Sequence, residues 1–201
     1  MNKCPSLIAI FILFICATAS DKRTYTLSKD YTVSINGTSN LHNWNEKVGI
    51  VSGDALINQN SDGSFDLEAI NIKMDVHSIK SSEGSIMNNN TYKALKADVN
   101  PQIIFTLTLP VKSIQPILND KMITAKGNLS IAGASKPVDM QVKIFMQKNG
   151  KLGFEGSQTI KMTDYSIDPP VALFGTLKTG NEITINFKIN FVIKTNPASN
   201  S

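Results

Sequence analysis

The chain has 201 residues, of which 41% are hydrophobic and 18% charged, with a formal net charge of +4. That size and balance suit one folded domain with its own core and argue against a disordered chain. The charge is mild and no basic run is dense, which argues against a nucleic-acid surface, and 2 cysteines are too few for a disulfide scaffold or a cysteine-built metal site.

Residues 1–19 read as a secretory signal peptide. Lys3 gives the positive start, Leu7 to Ile15 the apolar stretch, and Ala17-Thr18-Ala19 an A-x-A cleavage site before Ser20. The apolar stretch is shorter than the roughly 20 residues that span a bilayer. Cys4 and Cys16 both fall inside this segment, so cleavage leaves a mature chain without cysteine. Ile15, just before Cys16, is not the small residue that lipoprotein processing needs, which argues against a lipid anchor there. The expectation is a periplasmic or secreted domain over residues 20–195, ending in a polar tail at 196–201.

The mature chain alternates with period 2, the pattern of strands that bury one face and wet the other. Tyr31, Val33 and Ile35 open the series. Between Phe65 and Val76 the apolar parity flips from odd to even positions near Ala69-Ile70, as one extra residue in a β-bulge would cause. Asn90 to Ala97 reads as the helical segment, with Asn90 as its N-cap and Pro101 barring continuation. Alternation resumes over Ile103 to Leu109, Ile123 to Ile131, Val138 to Met146 and Leu152 to Met162. It is clearest over Ile183 to Ile193, where only Val192 breaks the polar side. Turn signals separate these runs at Asn60 to Gly63, Gly133 to Pro137 and Asn149-Gly150. Eight or nine such strands close as a barrel or stack as a sandwich. The strand lengths, the bulge and the lone helix favour an all-β antiparallel barrel of about eight strands with the helix covering one end.

Groups for chemistry are sparse. His42 and His77 are the only histidines, and both are expected at the surface, His42 in a turn and His77 on the polar face of its strand. A third class of function, an enzyme using His42, rests on that residue alone. There is no G-x-S-x-G elbow, no H-x-x-x-H spacing and no phosphate-cradling loop. The expectation is therefore no catalysis and no metal.

What remains is an apolar interior, filled by side chains or open to a ligand. The loop Asp168 to Gly175 favours the open reading: two prolines stiffen it, and it must bury or use Val171, Leu173 and Phe174. On that reading the inward strand positions Val33, Met74, Phe105, Leu107, Val142 and Ile144 would line a ligand. Phe154, Phe187 and Ile189 would continue that lining, with Phe174 at the mouth. A polar head would meet Tyr92, Tyr165 or Asn90.

Three stretches together resemble the YceI family of exported, lipocalin-like proteins. Gly127 to Val138 is similar to the family's G-x-L-T-I-x-G-x-T-K-P-V hairpin, in which Gly133 permits the turn and Pro137 stiffens it. Met74 to Ile79 resembles its strand ending in V-x-S-I, and Asn100 to Phe105 its Y-P-x-I-x-F entry. The order matches, and the resemblance runs from about Tyr25 to Val192. Gly37 to Trp44 and Ile167 to Gly175 look like a recurring variant within the family. One departure stands out: where the family often shows R-D-x-H-L before its helix, this chain has Ile86 to Asn90 without Arg, Asp or His. The resemblance implies a barrel that binds an isoprenoid-type lipid, a quinone or polyprenyl chain, non-covalently and with no other cofactor. It implies no catalysis. The partners expected are that lipid and, transiently, a membrane or membrane protein, with no nucleic acid. The rival reading is a structural or protein-interaction β-domain with a filled core.

Overall fold

The computed structural model describes residues 21–115, 121–147 and 150–194. The expected signal segment with both cysteines, Asn149 of the expected turn, and the polar tail lie outside the described residues. Twelve strands and one α-helix follow in order. They are β1 (Asp21–Ser39), β2 (Asn43–Val48), β3 (Val51–Gln59), β4 (Phe65–Asp75), β5 (Ile79–Ser81), α1 (Ser85–Ala94), β6 (Gln102–Leu107) and β7 (Val111–Ile114). Then come β8 (Lys121–Ile131), β9 (Ala134–Met146), β10 (Leu152–Lys161), β11 (Val171–Ala172) and β12 (Leu177–Ile193).

Eight of these close a ring, β1-β3-β4-β6-β8-β9-β10-β12, because β12 pairs back onto β1 from Tyr25–Ile193 to Gly37–Ile183. All pairings are antiparallel. Closure removes the exposed edges that an open sheet of this size would present. Strand β1 is long enough to serve two neighbours on its other side. Its first part pairs β3 over Asp21–Thr26 and its last part pairs β2 over Ser34–Thr38. Strand β5 continues from β2, and α1 packs beside β5 across that end of the barrel.

The parity flip in β4 is a bulge: Leu56 faces Ala69 and Ile57 faces Leu67, so Glu68 has no opposite number on β3. The β8–β9 hairpin turns on Ala132 and Gly133, with φ of 50° and 86° and Ile131 opposite Ala134. Two positive φ values at the centre of a two-residue loop match the twist of the flanking strands.

Several expectations need correction. The helix runs over Ser85–Ala94, earlier than Asn90–Ala97. It starts at Gly84, whose φ is 95° and which offers no side-chain cap, so Asn90 lies inside the helix. Strand β6 ends at Leu107, and Leu109, next to Pro110, is exposed. Val76–Ser78 leaves the strand as a 3₁₀ turn: the Ser78 N–H donates to Asp75 Oδ1 at 3.0 Å and the Ser78 hydroxyl to the Asp75 carbonyl at 2.7 Å. Strands β2 and β3 carry weaker alternation and lie outside the runs that period 2 picks out.

Candidate functional site: a divided apolar interior

Inward residues from all eight barrel strands form one core, yet they leave two spaces along the axis. A cavity of about 110 Å³ lies under α1. Met87, Asn90, Thr91 and Leu95 of the helix segment, Trp44 and Glu46 of β2, and Pro170 and Val171 of the apolar loop meet around it. A second cavity of about 80 Å³ lies deeper in the barrel, among Met74, Phe105, Met140, Phe154 and Phe187, with no polar surface exposed in it. Ile185 of β12 borders both. An apolar protein cavity of about 150 Å³ takes up benzene. Each space is thus smaller than that and the pair larger. The methionines on the walls (Met74 and Met140 deep in the barrel, Met87 and Met162 under the helix) are unbranched and can rotate to admit more.

The structure gathers seven of the twelve expected lining residues at the deep cavity: Val33, Met74, Phe105, Val142, Phe154, Phe187 and Ile189. Leu107 and Ile144 are buried in the core but border neither space. Tyr92 is turned away from it. Its hydroxyl donates toward the carbonyls of His77 and Ile79, both at 2.9 Å, and takes the Lys80 ammonium as a donor. Tyr165 is buried off the cavities, and burial pushes its phenol upward from the usual tyrosine range. Phe174 does not line the mouth: its side chain is fully exposed, on a backbone with φ of 54° that a bulky residue adopts only under local constraint. Asn90 does reach the helix-end cavity.

Sequence reasoning missed Glu46. It occupies an inward position of β2, between Trp44 and Val48, opposite Ile35 on β1 and Ser81 on β5. Only 2% of it is exposed. The Thr91 hydroxyl of α1 donates to its Oε1 at 2.6 Å. Burial raises its carboxyl above the ordinary range; the Thr91 hydrogen bond opposes that shift and the nearby Glu83 charge adds to it. The signal was available: an acid at a strand position whose neighbours two residues away are apolar. Trp44 is held beside it by its indole N–H, which donates to the Thr38 carbonyl at 3.0 Å, and its ring lies where a side chain on Gly37 would be, within 2.2 Å of an added Cβ.

The helix end of the barrel has an exposed rim. The Asn40 side chain ties the β1–β2 turn to the start of β12, donating to the Thr176 carbonyl at 2.8 Å and accepting from the Lys178 N–H at 2.9 Å. His42 Nε2 meets Glu83 Oε1 at 2.9 Å, joining the same turn to the start of α1. Around these contacts Leu41, Ile86, Val171 and Phe174 are exposed. Both histidines are at the surface, as their positions predict. Among the described residues, no three His, Cys, Asp or Glu side chains are placed to hold a metal, and no helix is long and apolar enough to cross a membrane.

The family model for the YceI-like domain matches residues 25–191. A UPF0312 protein of Pseudomonas paraeruginosa is 28% identical over 113 residues, which cover 53% of this chain and 59% of that protein. The match thus spans less than two thirds of that relative. Among solved structures, a polyisoprenoid-binding domain from Saccharophagus degradans superposes with a TM-score of 0.64 at 12% identity, over 85% of this chain and 98% of that one. BcnA of Burkholderia cenocepacia gives 0.60 at 17% identity, over 80% and 95%. The YCEI protein of Campylobacter jejuni gives 0.53 at 19% identity, over 75% and 85%. At these identities the structural likeness shows the shared barrel fold.

Proposed function

The chain belongs to the YceI-like family, and from that premise we propose that its barrel holds an apolar isoprenoid-type lipid along the axis, without catalysing a reaction. The observation that carries this reading is the pair of cavities meeting at Ile185, walled by aliphatic, aromatic and methionine side chains. Burying a tail there gains about 0.8 kcal/mol per CH₂ removed from water. The Saccharophagus degradans domain, described as polyisoprenoid-binding, supports the same ligand class. The protein acts after export, in the periplasm or outside the cell, once the segment ending at Ala19 is removed; N-terminal sequencing of the mature protein from its native cell checks that cleavage.

Leu41, Ile86, Val171 and Phe174 are exposed at the helix end of the barrel, and Val171 also lines the helix-end cavity. Through this end the protein exchanges its lipid with a membrane. Organic extraction of the natively purified protein, followed by lipid mass spectrometry, is expected to yield an isoprenoid in near-stoichiometric amount. A lipid-free protein that also fails to take up added isoprenoid would overturn the reading. Phe174→Glu is expected to slow transfer to vesicles several-fold while leaving the folded barrel intact, because the native side chain contacts only solvent.

A further inference from the structure

Among the described residues, Glu46 is the one ionisable side chain that borders the helix-end cavity. The rest of that wall is aliphatic or aromatic, apart from Asn90, Thr91 and Thr179, and among the described residues it includes no Lys, Arg or His. Oε1 of Glu46 is taken by the Thr91 hydroxyl at 2.6 Å. Oε2 makes no hydrogen bond among the described residues, yet it is not sealed by protein atoms. Glu46 lines the free space.

We propose that Glu46 is the head-group recognition residue of the barrel, hydrogen-bonding an uncharged oxygen at the polar end of the ligand, so that the site takes a carbonyl- or hydroxyl-headed isoprenoid and refuses a phosphorylated one. This rests on the lipid-binding reading above. Burial favours the neutral carboxyl. With Oε1 already accepting from Thr91, Oε2 is the oxygen left for the ligand, and in the neutral carboxyl it serves as a donor. A ketone, quinone or alcohol oxygen satisfies it. A phosphate or carboxylate head would bring a charge into an apolar space that holds no cation to pair with it, next to a group that becomes an anion if it loses its proton. The selection is thus built from one donor and the absence of a basic side chain on the wall. Thr91 lies on α1, so the helix that closes the end also holds the recognition group in place.

Three ligands of equal isoprene number separate the possibilities: an isoprenoid quinone, a headless isoprenoid hydrocarbon and a polyprenyl monophosphate. Trp44, the chain's single tryptophan and a wall residue of the same cavity, reports occupancy by its fluorescence. Glu46→Leu is expected to weaken the quinone by about tenfold, the usual loss for one buried hydrogen bond. The same variant leaves the headless hydrocarbon within about twofold, since that ligand makes no such bond. Glu46→Gln keeps an N–H donor and an acceptor for Thr91, and holds quinone binding within about threefold of the wild type. Wild-type protein is expected to bind the phosphate at least about tenfold more weakly than the quinone. Unchanged quinone binding in Glu46→Leu, with the headless ligand still bound, overturns the role of Glu46 and leaves the barrel reading standing. Equal affinity for phosphate and quinone does the same. Failure of all three ligands to bind overturns the barrel reading and this assignment with it.

Discussion

Gly127 sits at an inward position of β8, between the buried Ala125 and Leu129. A Cβ there would lie 2.3 Å from the Phe105 ring and 2.6 Å from the Thr106 carbonyl oxygen. The ring can yield toward the deep cavity it borders, but the carbonyl belongs to the paired strand β6 and cannot. Gly127→Ala is therefore expected to destabilise the protein by about 1–3 kcal/mol, the range for overpacking a well-packed core, read by chemical denaturation. Asp66, mostly buried at the opposite end from α1, shows the reverse case of a polar side chain that the fold satisfies fully. The Ser113 N–H donates to its Oδ1 at 2.8 Å, Asn60 Nδ2 to the same oxygen at 3.1 Å, and Lys112 Nζ to Oδ2 at 3.1 Å. The backbone bond from Ser113 leads in holding its carboxyl below the ordinary range. A lowered native pKa stabilises the fold above the unfolded value near 4, and that contribution is lost as pH falls through the native value. Asp66→Asn is expected to be less stable than wild type at pH 7, with the gap narrowing as denaturation is repeated at lower pH below about 4. A gap that stays constant down to pH 2 would show that the carboxylate charge does not contribute.

Helix α1 differs from the strands it covers. It has 10 residues and buries none of them fully. A helix of that length is marginal by itself and depends on the contacts it makes across the barrel end. Those include the Thr91–Glu46 bond and the Ser81 N–H donating to Asn88 Oδ1 at 2.7 Å. Hydrogen exchange is expected to show α1 amides opening at a lower free energy than those of β8 and β9, and to show α1 gaining protection when ligand binds. Equal protection in the two regions would mark the helix as a fixed wall. The elements also show what period-2 reading can and cannot reach. Its parity located the β4 bulge to within a residue of Glu68, and it identified β8, β9, β10 and β12, because each buries one face against a continuous interior. It missed β2 because an acid and a half-buried tryptophan occupy two of that strand's inward positions. It misplaced the helix start because Gly84 supplies a backbone conformation in place of a capping side chain. For the site, parity gives the inward direction but not the depth. Met74 and Phe105 point inward and border the deep cavity, whereas Leu107 and Ile144 point inward and meet only other side chains. Tyr92 and Tyr165 offer hydroxyls to a polar head, but the one is spent on backbone carbonyls and the other is buried elsewhere.

At the scale of the whole barrel, the open question at the sequence level, a core filled by protein or by lipid, resolves into a core that is filled at its circumference and interrupted along its axis. Ile185 marks the interruption. It faces Ile35 on β1 and Gln158 on β10 and is the side chain that both cavities share. A tail entering under α1 must pass it to reach Phe154 and Met74. Replacing Ile185 with a larger, flatter side chain would widen the partition without removing either space. Ile185→Phe is expected to cost about 1–3 kcal/mol of stability by overpacking, which leaves a folded barrel that still binds. Its affinity for a ligand of one or two isoprene units, short enough to stay in the helix-end cavity, is expected to hold. Its affinity for a long polyisoprenoid is expected to fall several-fold, since each CH₂ kept in water forgoes about 0.8 kcal/mol. Competition binding across a series of chain lengths reads the effect directly. In wild type, affinity climbs with tail length past the point where the helix-end cavity is full, and in the variant it levels off there. If the two curves run parallel, the tail does not travel along the axis, and the deep cavity is packing space, not a binding site.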